Sequence, residues 1–135
     1  MQSITHAASI SKKRLWAGRV TGALTAVFLL ADGVMKVTKA RAAVEGTVQL
    51  GYPESALVGI GAVLLICTLL YLIPRTAILG AVLLTGYLGG AVATQVRVGN
   101  PLFSHVLFPV YVGVMVWGSL FLRDSRVRAL ITSNN

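Results

Sequence analysis

The sequence predicts an all-α fold, a four-helix transmembrane bundle with a short interfacial helix between spans one and two. Three observations predict it. Charged residues make up only 12% of the chain and hydrophobic ones 56%, whereas soluble domains average about 25% charged. The mean hydropathy is +0.78, far on the apolar side. The charges also leave three uncharged runs of twenty or more residues. A helix rising about 1.5 Å per residue needs that length to cross a bilayer core of about 30 Å. At 135 residues the chain has room for one domain.

Residues 1–14 read as a basic tail ending in Lys12, Lys13 and Arg14. A cleaved leader would also place these charges before an apolar run. However, Arg19 interrupts that run early, and no small-residue cleavage site opens onto a soluble domain, so the segment is expected to be retained. The transmembrane domain is assigned to 15–123. Its first span covers about 16–36, although Arg19 and Asp32 leave only twelve uncharged residues between them. Arg19 then snorkels to one interface and Asp32 lies near the other. The centre, ALTAVFLLA, has no polar stripe, which favours a span over a surface helix.

The next connection is VTKARAAVEGTVQLGYPE. Within it Ala40, Ala43, Val44, Thr47 and Val48 recur at helical spacing before Gly51 and Pro53, which predicts the interfacial helix. Span two follows at about 55–74, span three at 76–96, and span four at 102–122 after the turn signal VGNP. IPRT and RVGNP are short connections, so these three spans run as antiparallel neighbours. Residues 124–135 form a second basic tail. Gly18-x-x-x-Gly22 and Gly86-x-x-x-Gly90 would let helix backbones approach closely, inside the bundle or at a dimer seam.

Orientation follows from the Lys/Arg distribution. Eight of the twelve (Lys12, Lys13, Arg14, Arg19, Arg75, Arg123, Arg126, Arg128) fall on the side that holds both termini; Lys36, Lys39, Arg41 and Arg97 fall on the other. Both termini are therefore expected in the cytoplasm. The net charge of +8 reads as topology signal and lipid contact rather than nucleic-acid binding, because no basic stripe is interleaved with aromatics. The single cysteine, Cys67, lies in an apolar run and cannot form an internal disulfide. No spacing marks a metal, haem or flavin site.

This topology gathers the intramembrane polar residues at one face. Asp32 and Lys36 end span one and can pair at i, i+4. Glu45, Gln49 and Tyr52 come from the connection, Thr94, Gln95 and Arg97 from span three, and Asn100 and His105 from span four. An ionisable group at bilayer depth should face protein or water, so Arg97 is expected to partner Asp32 or Glu45 across the bundle. Pro109, four residues after His105, is expected to free the His105 carbonyl and kink the helix. Tyr87, Ala91, Thr94 and Gln95 share a face of span three. The expected result is a crevice, polar at its mouth and apolar below, suited to a lipophilic molecule with a polar head. The competing reading leaves the charges in the head-group layer and His105 simply hydrogen-bonded.

ADGVMKV, GYLGGAVATQVRVGNPLFSHVLFP and LRDSRVRAL together resemble DoxX-like small membrane proteins, over about residues 15–130. That resemblance implies a four-helix transmembrane bundle in a bacterial inner membrane. Asp32, Lys36, Arg97, Asn100, Pro101, His105 and Pro109 carry the family look. The family takes its name from a subunit of a thiosulfate:quinone oxidoreductase, so the resemblance also implies a quinone or isoprenoid-like ligand and a membrane redox complex as partner. Many members read ATHVR where this chain has Gln95, and glutamine cannot shuttle a proton as imidazole does.

Three functions compete. The first is a binding or accessory subunit, with Arg97, Gln95, Thr94, Tyr87, Asn100, Lys36 and Glu45 as candidate ligand contacts. In it His105 and Arg97 meet the head group and Asp32 orients Arg97. The second is an acid–base enzyme acting on a lipophilic substrate by isomerisation, cyclisation or epoxide opening, with Asp32 and His105 as candidate catalytic groups. The third is a membrane scaffold or chaperone, docking a partner or a second copy through the Gly86/Gly90 face or the basic tail.

Overall fold

A computed structural model of the chain describes residues 2–132, with side chains placed over 12–131. Met1 and residues 133–135, the outermost parts of the two expected tails, lie outside the described residues. The described residues form six α-helices and no strand: α1 (Gln2–Val37), α2 (Arg41–Gln49), α3 (Leu57–Leu72), α4 (Ala77–Arg97), α5 (Phe108–Arg123) and α6 (Ser125–Thr132). Among the described residues four segments are long and apolar enough to cross a membrane: Lys12–Val37, Glu54–Leu72, Ala77–Arg97 and Leu102–Arg123. The expected four-helix bundle is what is found, with the short helix α2 between its first two spans. One difference lies at the start, where α1 continues back through the expected tail to Gln2.

α1 packs against α3 and α5, and α4 packs against the same two helices. α1 and α4 therefore occupy one diagonal of the quartet, and α3 and α5 the other. Between lipid-exposed helices the attraction comes from close packing and hydrogen bonds, because lipid tails are as apolar as leucine. Both devices are present. A Cβ on Gly22 would sit 2.5 Å from Ser119 Oγ, and one on Gly61 would sit 2.7 Å from the Lys36 Cβ. Hydrogen there lets α1 approach α5 at one end and α3 at the other. The core holds Leu29, Leu64, Tyr71, Ala81, Leu84, Val116 and Leu120. Tyr71 is fully buried, and its hydroxyl donates to the Val116 carbonyl at 2.8 Å, tying the α3–α5 diagonal.

The Gly86/Gly90 pair behaves otherwise. A Cβ added at either residue would meet nothing within 4 Å. This glycine face seats no neighbouring helix of the bundle, which corrects the expectation of internal packing for it.

Pro109 also departs from expectation. Span four is not one kinked helix. Residues 102–106 form a wide turn in which the Val106 and Leu107 amides donate to the Pro101 and Leu102 carbonyls, five residues back. α5 then starts afresh, with Pro109 in its first turn. A first-turn amide has no intrahelical partner, so proline costs nothing there.

At the other end of the quartet, Ser119 Oγ donates to the Gly18 carbonyl at 2.6 Å and accepts from Arg123 Nε at 3.0 Å. The guanidinium carbon of Arg123 stands 5.0 Å from the Tyr71 ring centroid. Asp124 caps the amide of Arg126 at 2.9 Å. Hydrogen bonds from the Arg126 side chain hold the Asp124 carboxyl below the usual carboxylate range.

Candidate functional site

The centre of the site is the last turn of α1. Asp32 and Lys36 lie one turn apart, and Lys36 Nζ donates to Asp32 Oδ2 at 2.8 Å. The same ammonium donates to the Tyr87 hydroxyl of α4 at 2.9 Å. Lys36 therefore bridges the α1–α4 diagonal that helix packing leaves open. Its stem lies against Gly61, where α3 comes close enough to cover it. The side chain is 18% exposed, against 38% for Asp32.

Two clefts meet at this bridge. One, of about 260 Å³, is lined by Lys36, Thr47, Tyr52, Ile60, Tyr87, Thr94 and Gln95 among others. The second, of about 280 Å³, is lined by Asp32, Lys36, Tyr87, Gln95, Ser104 and His105, with Phe28, Leu29, Phe108 and Val112 as apolar wall. Phe28 and Phe108 meet edge to face at 5.6 Å between centroids. Lys36, Leu50, Tyr87, Ala91 and Gln95 belong to both clefts.

Hydrogen bonds hold the rim. Thr94 Oγ1 donates to the Gly90 carbonyl at 2.9 Å. Its one proton being used, it accepts at 2.7 Å from the Tyr52 hydroxyl. This bond pins the segment after α2 onto α4. Gln95 Oε1 accepts from Asn100 Nδ2, and the Asn100 amide returns to the Gln95 carbonyl at 3.2 Å. Between them Gly99 takes φ +75°, a left-handed conformation that only glycine adopts cheaply. His105 is exposed and its Nδ1 pairs with Ser104 Oγ at 2.8 Å.

The residues singled out from sequence divide accordingly. Asp32, Lys36, Tyr87, Gln95 and His105 line one cleft, and Thr94 lines the other. Asn100 lines neither and acts through Gln95. The expected pairing of Arg97 with Asp32 or Glu45 is not found. Arg97 is exposed and makes no hydrogen bond or ion pair among the described residues. Glu45 accepts from Arg41 at 3.3 Å on the outer face of α2. Neither meets Asp32, whose partner is Lys36 on its own helix. Asp32 and His105 share a cleft wall without a bond between them. Sequence reasoning missed Thr47 and Ser104. Thr47 falls within the apolar recurrence of α2, and its hydroxyl is the available signal.

The arrangement favours ligands that accept hydrogen bonds. An ammonium carries three protons, and Asp32 and Tyr87 take two. The third proton, and the Tyr87 proton itself, have no acceptor among the described residues. Two donors at the junction of two mainly apolar clefts suit a carbonyl or other oxygen at the end of a lipophilic body.

Residues 20–119 match the DoxX-like family, a stretch that contains every residue lining the two clefts. No curated protein and no solved structure matches the chain. With four apolar helices of spanning length and most of its length matched, the chain is a multi-pass integral membrane protein and belongs to the DoxX-like family.

Proposed function

We propose that the protein binds a lipophilic ligand with a hydrogen-bond-accepting head, of the quinone or isoprenoid kind, at the end of the bundle where α1 and α4 finish. The observation that carries this reading is the 2.9 Å bond from Lys36 to Tyr87, with a free donor on each partner and a cleft on either side. The head accepts from Lys36 and Tyr87, and the tail lies along the wall of Phe28, Leu29 and Phe108. Asp32 balances the Lys36 charge, so a neutral carbonyl is favoured over a carboxylate. His105 stands at the mouth in a secondary role. Arg97 and Glu45 line neither cleft.

The Lys/Arg imbalance supports an inner-membrane orientation with both termini cytoplasmic and this site near the extracytoplasmic face. An accessory subunit of a membrane redox complex fits that position. An acid–base role on a lipophilic substrate has one supporting observation, the continuous series Asp32–Lys36–Tyr87, in which Tyr87 would protonate a substrate oxygen.

The test is binding of a short-chain ubiquinone analogue to the protein in nanodiscs. Tyr87→Phe and Lys36→Met should each weaken binding roughly thirtyfold, the equivalent of a lost hydrogen bond worth about 2 kcal/mol. His105→Ala should cost about threefold or less. Unchanged affinity in both Tyr87→Phe and Lys36→Met would overturn the reading. A C-terminal reporter found outside the cytoplasm would overturn the orientation.

A further inference from the structure

At the end of the quartet opposite Lys36 lies an open crevice of about 380 Å³. Arg19 reaches it from α1, Pro74 from the α3–α4 turn, Ala77 from the start of α4, Arg123 from the end of α5, Asp124 from the α5–α6 junction and Arg126 from α6. The volume lies within the roughly 300–1,000 Å³ of small-molecule sites. Among the described residues its lining carries three arginines and one aspartate.

Two of the three arginine charges are not balanced locally. Arg126 is committed: Nε and Nη2 donate to the two oxygens of Asp124 at 3.2 and 2.8 Å, and Nη2 also reaches the Pro74 carbonyl at 2.8 Å. Arg123 is held but not neutralised. Its Nε bonds Ser119 Oγ at 3.0 Å and its plane lies by the Tyr71 ring. The four N–H bonds on its two Nη atoms have no acceptor among the described residues. Arg19 is exposed and likewise makes no ion pair or hydrogen bond there. A guanidinium held at its Nε, lining the same cavity as a second arginine with no bond of its own, suits phosphate oxygens. At the cavity wall, α4 begins at Ala77 with no side chain capping its first amides, which adds partial positive charge.

Lipid head groups are expected at the ends of the spanning segments. The cavity lies at the first residue of α4 and the last of α5. Trp16, one turn before Arg19, is 70% exposed, as expected of an interfacial anchor. We propose that this crevice binds an anionic phosphate group, with Arg19 and Arg123 as its ligands. A phospholipid head group and free phosphate in the adjoining aqueous layer share that chemistry. Arg19 and Arg123 both lie outside the 20–119 stretch matched to the family, and the site is separate from the clefts around Lys36.

The experiment uses the full chain in nanodiscs, with Arg19→Gln as the main variant because Arg19 holds no bond of the fold. In phosphatidylcholine discs containing some phosphatidylglycerol, native mass spectrometry should find one phosphatidylglycerol retained by the wild type. Arg19→Gln should lower that retention about tenfold, while Arg41→Gln at the far end should leave it unchanged. If inorganic phosphate raises the unfolding temperature in pure phosphatidylcholine discs, and Arg19→Gln abolishes the rise, the occupant is free phosphate. The proposal is overturned if Arg19→Gln and Arg123→Gln both match the wild type in lipid retention and phosphate response, or if the wild type prefers neither anion.

Discussion

Lys36 and Tyr87 are separated by 51 residues of sequence and joined by a 2.9 Å hydrogen bond. They belong to the two helices that do not pack side by side, so this bond spans the polar end of the bundle as the Tyr71 hydroxyl does the other diagonal. The polar network is therefore part of the fold as well as the candidate site.

The Asp32–Lys36 pair predicts unequal single-variant costs. Asp32→Ala leaves a mostly buried ammonium with Tyr87 as its one partner, whereas Lys36→Met leaves a more exposed carboxylate that water can reach. Asp32→Ala should cost about 1–2 kcal/mol and Lys36→Met less than about 1 kcal/mol. The double variant should resemble Lys36→Met, not the sum. Thermal unfolding of the four proteins in one nanodisc preparation checks this, and additivity would mean that the pair is not coupled.

Tyr52 fastens the segment after α2 through its 2.7 Å bond to Thr94. Tyr52→Phe keeps the ring and removes the donor. Amides over 47–52 should then exchange with deuterium about fivefold faster, the loss of roughly 1 kcal/mol from a local opening. Thr94→Ala should have the same effect on the same amides. Exchange unchanged in both variants would show that the segment is held by its apolar contacts alone.

The skeleton was legible because charge spacing and the cost of charge in lipid act along the chain. Three uncharged runs marked α3, α4 and α5, and the recurrence of Ala40, Val44 and Thr47 marked α2. The Asp32–Lys36 pair was legible for the same local reason, an i, i+4 spacing. What failed depended on the rotation of each helix in the quartet. Arg97 looked like an inward partner, but it ends α4 and a long side chain reaches the interface freely. The Lys36–Tyr87 contact requires knowing that α1 and α4 are diagonal, which no local pattern records. Pro109 read as a kink because the uncharged run continues through it as one span, whereas the chain starts a new helix there.

Acid should loosen the C-terminal helix. Arg126 holds the Asp124 carboxyl below the ordinary range, so folding favours its charged form. A depressed native pKa contributes stability above the unfolded value, about 3.9, and that contribution is lost as pH falls through the native value. Docking of α6 should therefore be insensitive to Asp124 between about pH 5 and 8 and weaken below about pH 4. Asp124→Asn should remove the acid dependence and leave α6 looser at neutral pH. Hydrogen exchange over 125–131 across this range is the measurement, and an unchanged acid response in Asp124→Asn would assign it elsewhere.

Adding one methyl group separates the two glycine pairs. At Gly22 a Cβ would come within 2.5 Å of a Ser119 oxygen already bonded to the Gly18 carbonyl and Arg123. Moving that oxygen breaks both bonds, so Gly22→Ala should cost about 1–3 kcal/mol by overpacking. At Gly86 the Cβ would enter open space, and replacing a mid-helix glycine gains up to about 1 kcal/mol of helix propensity. Gly86→Ala should therefore be neutral or stabilising in thermal unfolding, and Gly22→Ala clearly destabilising. The comparison also tests whether a second copy or a partner covers the Gly86 face. If Gly86→Ala lowers stability in a way that depends on protein-to-lipid ratio, the face is packed in the membrane after all, and the scaffold reading gains the support that the isolated quartet does not supply.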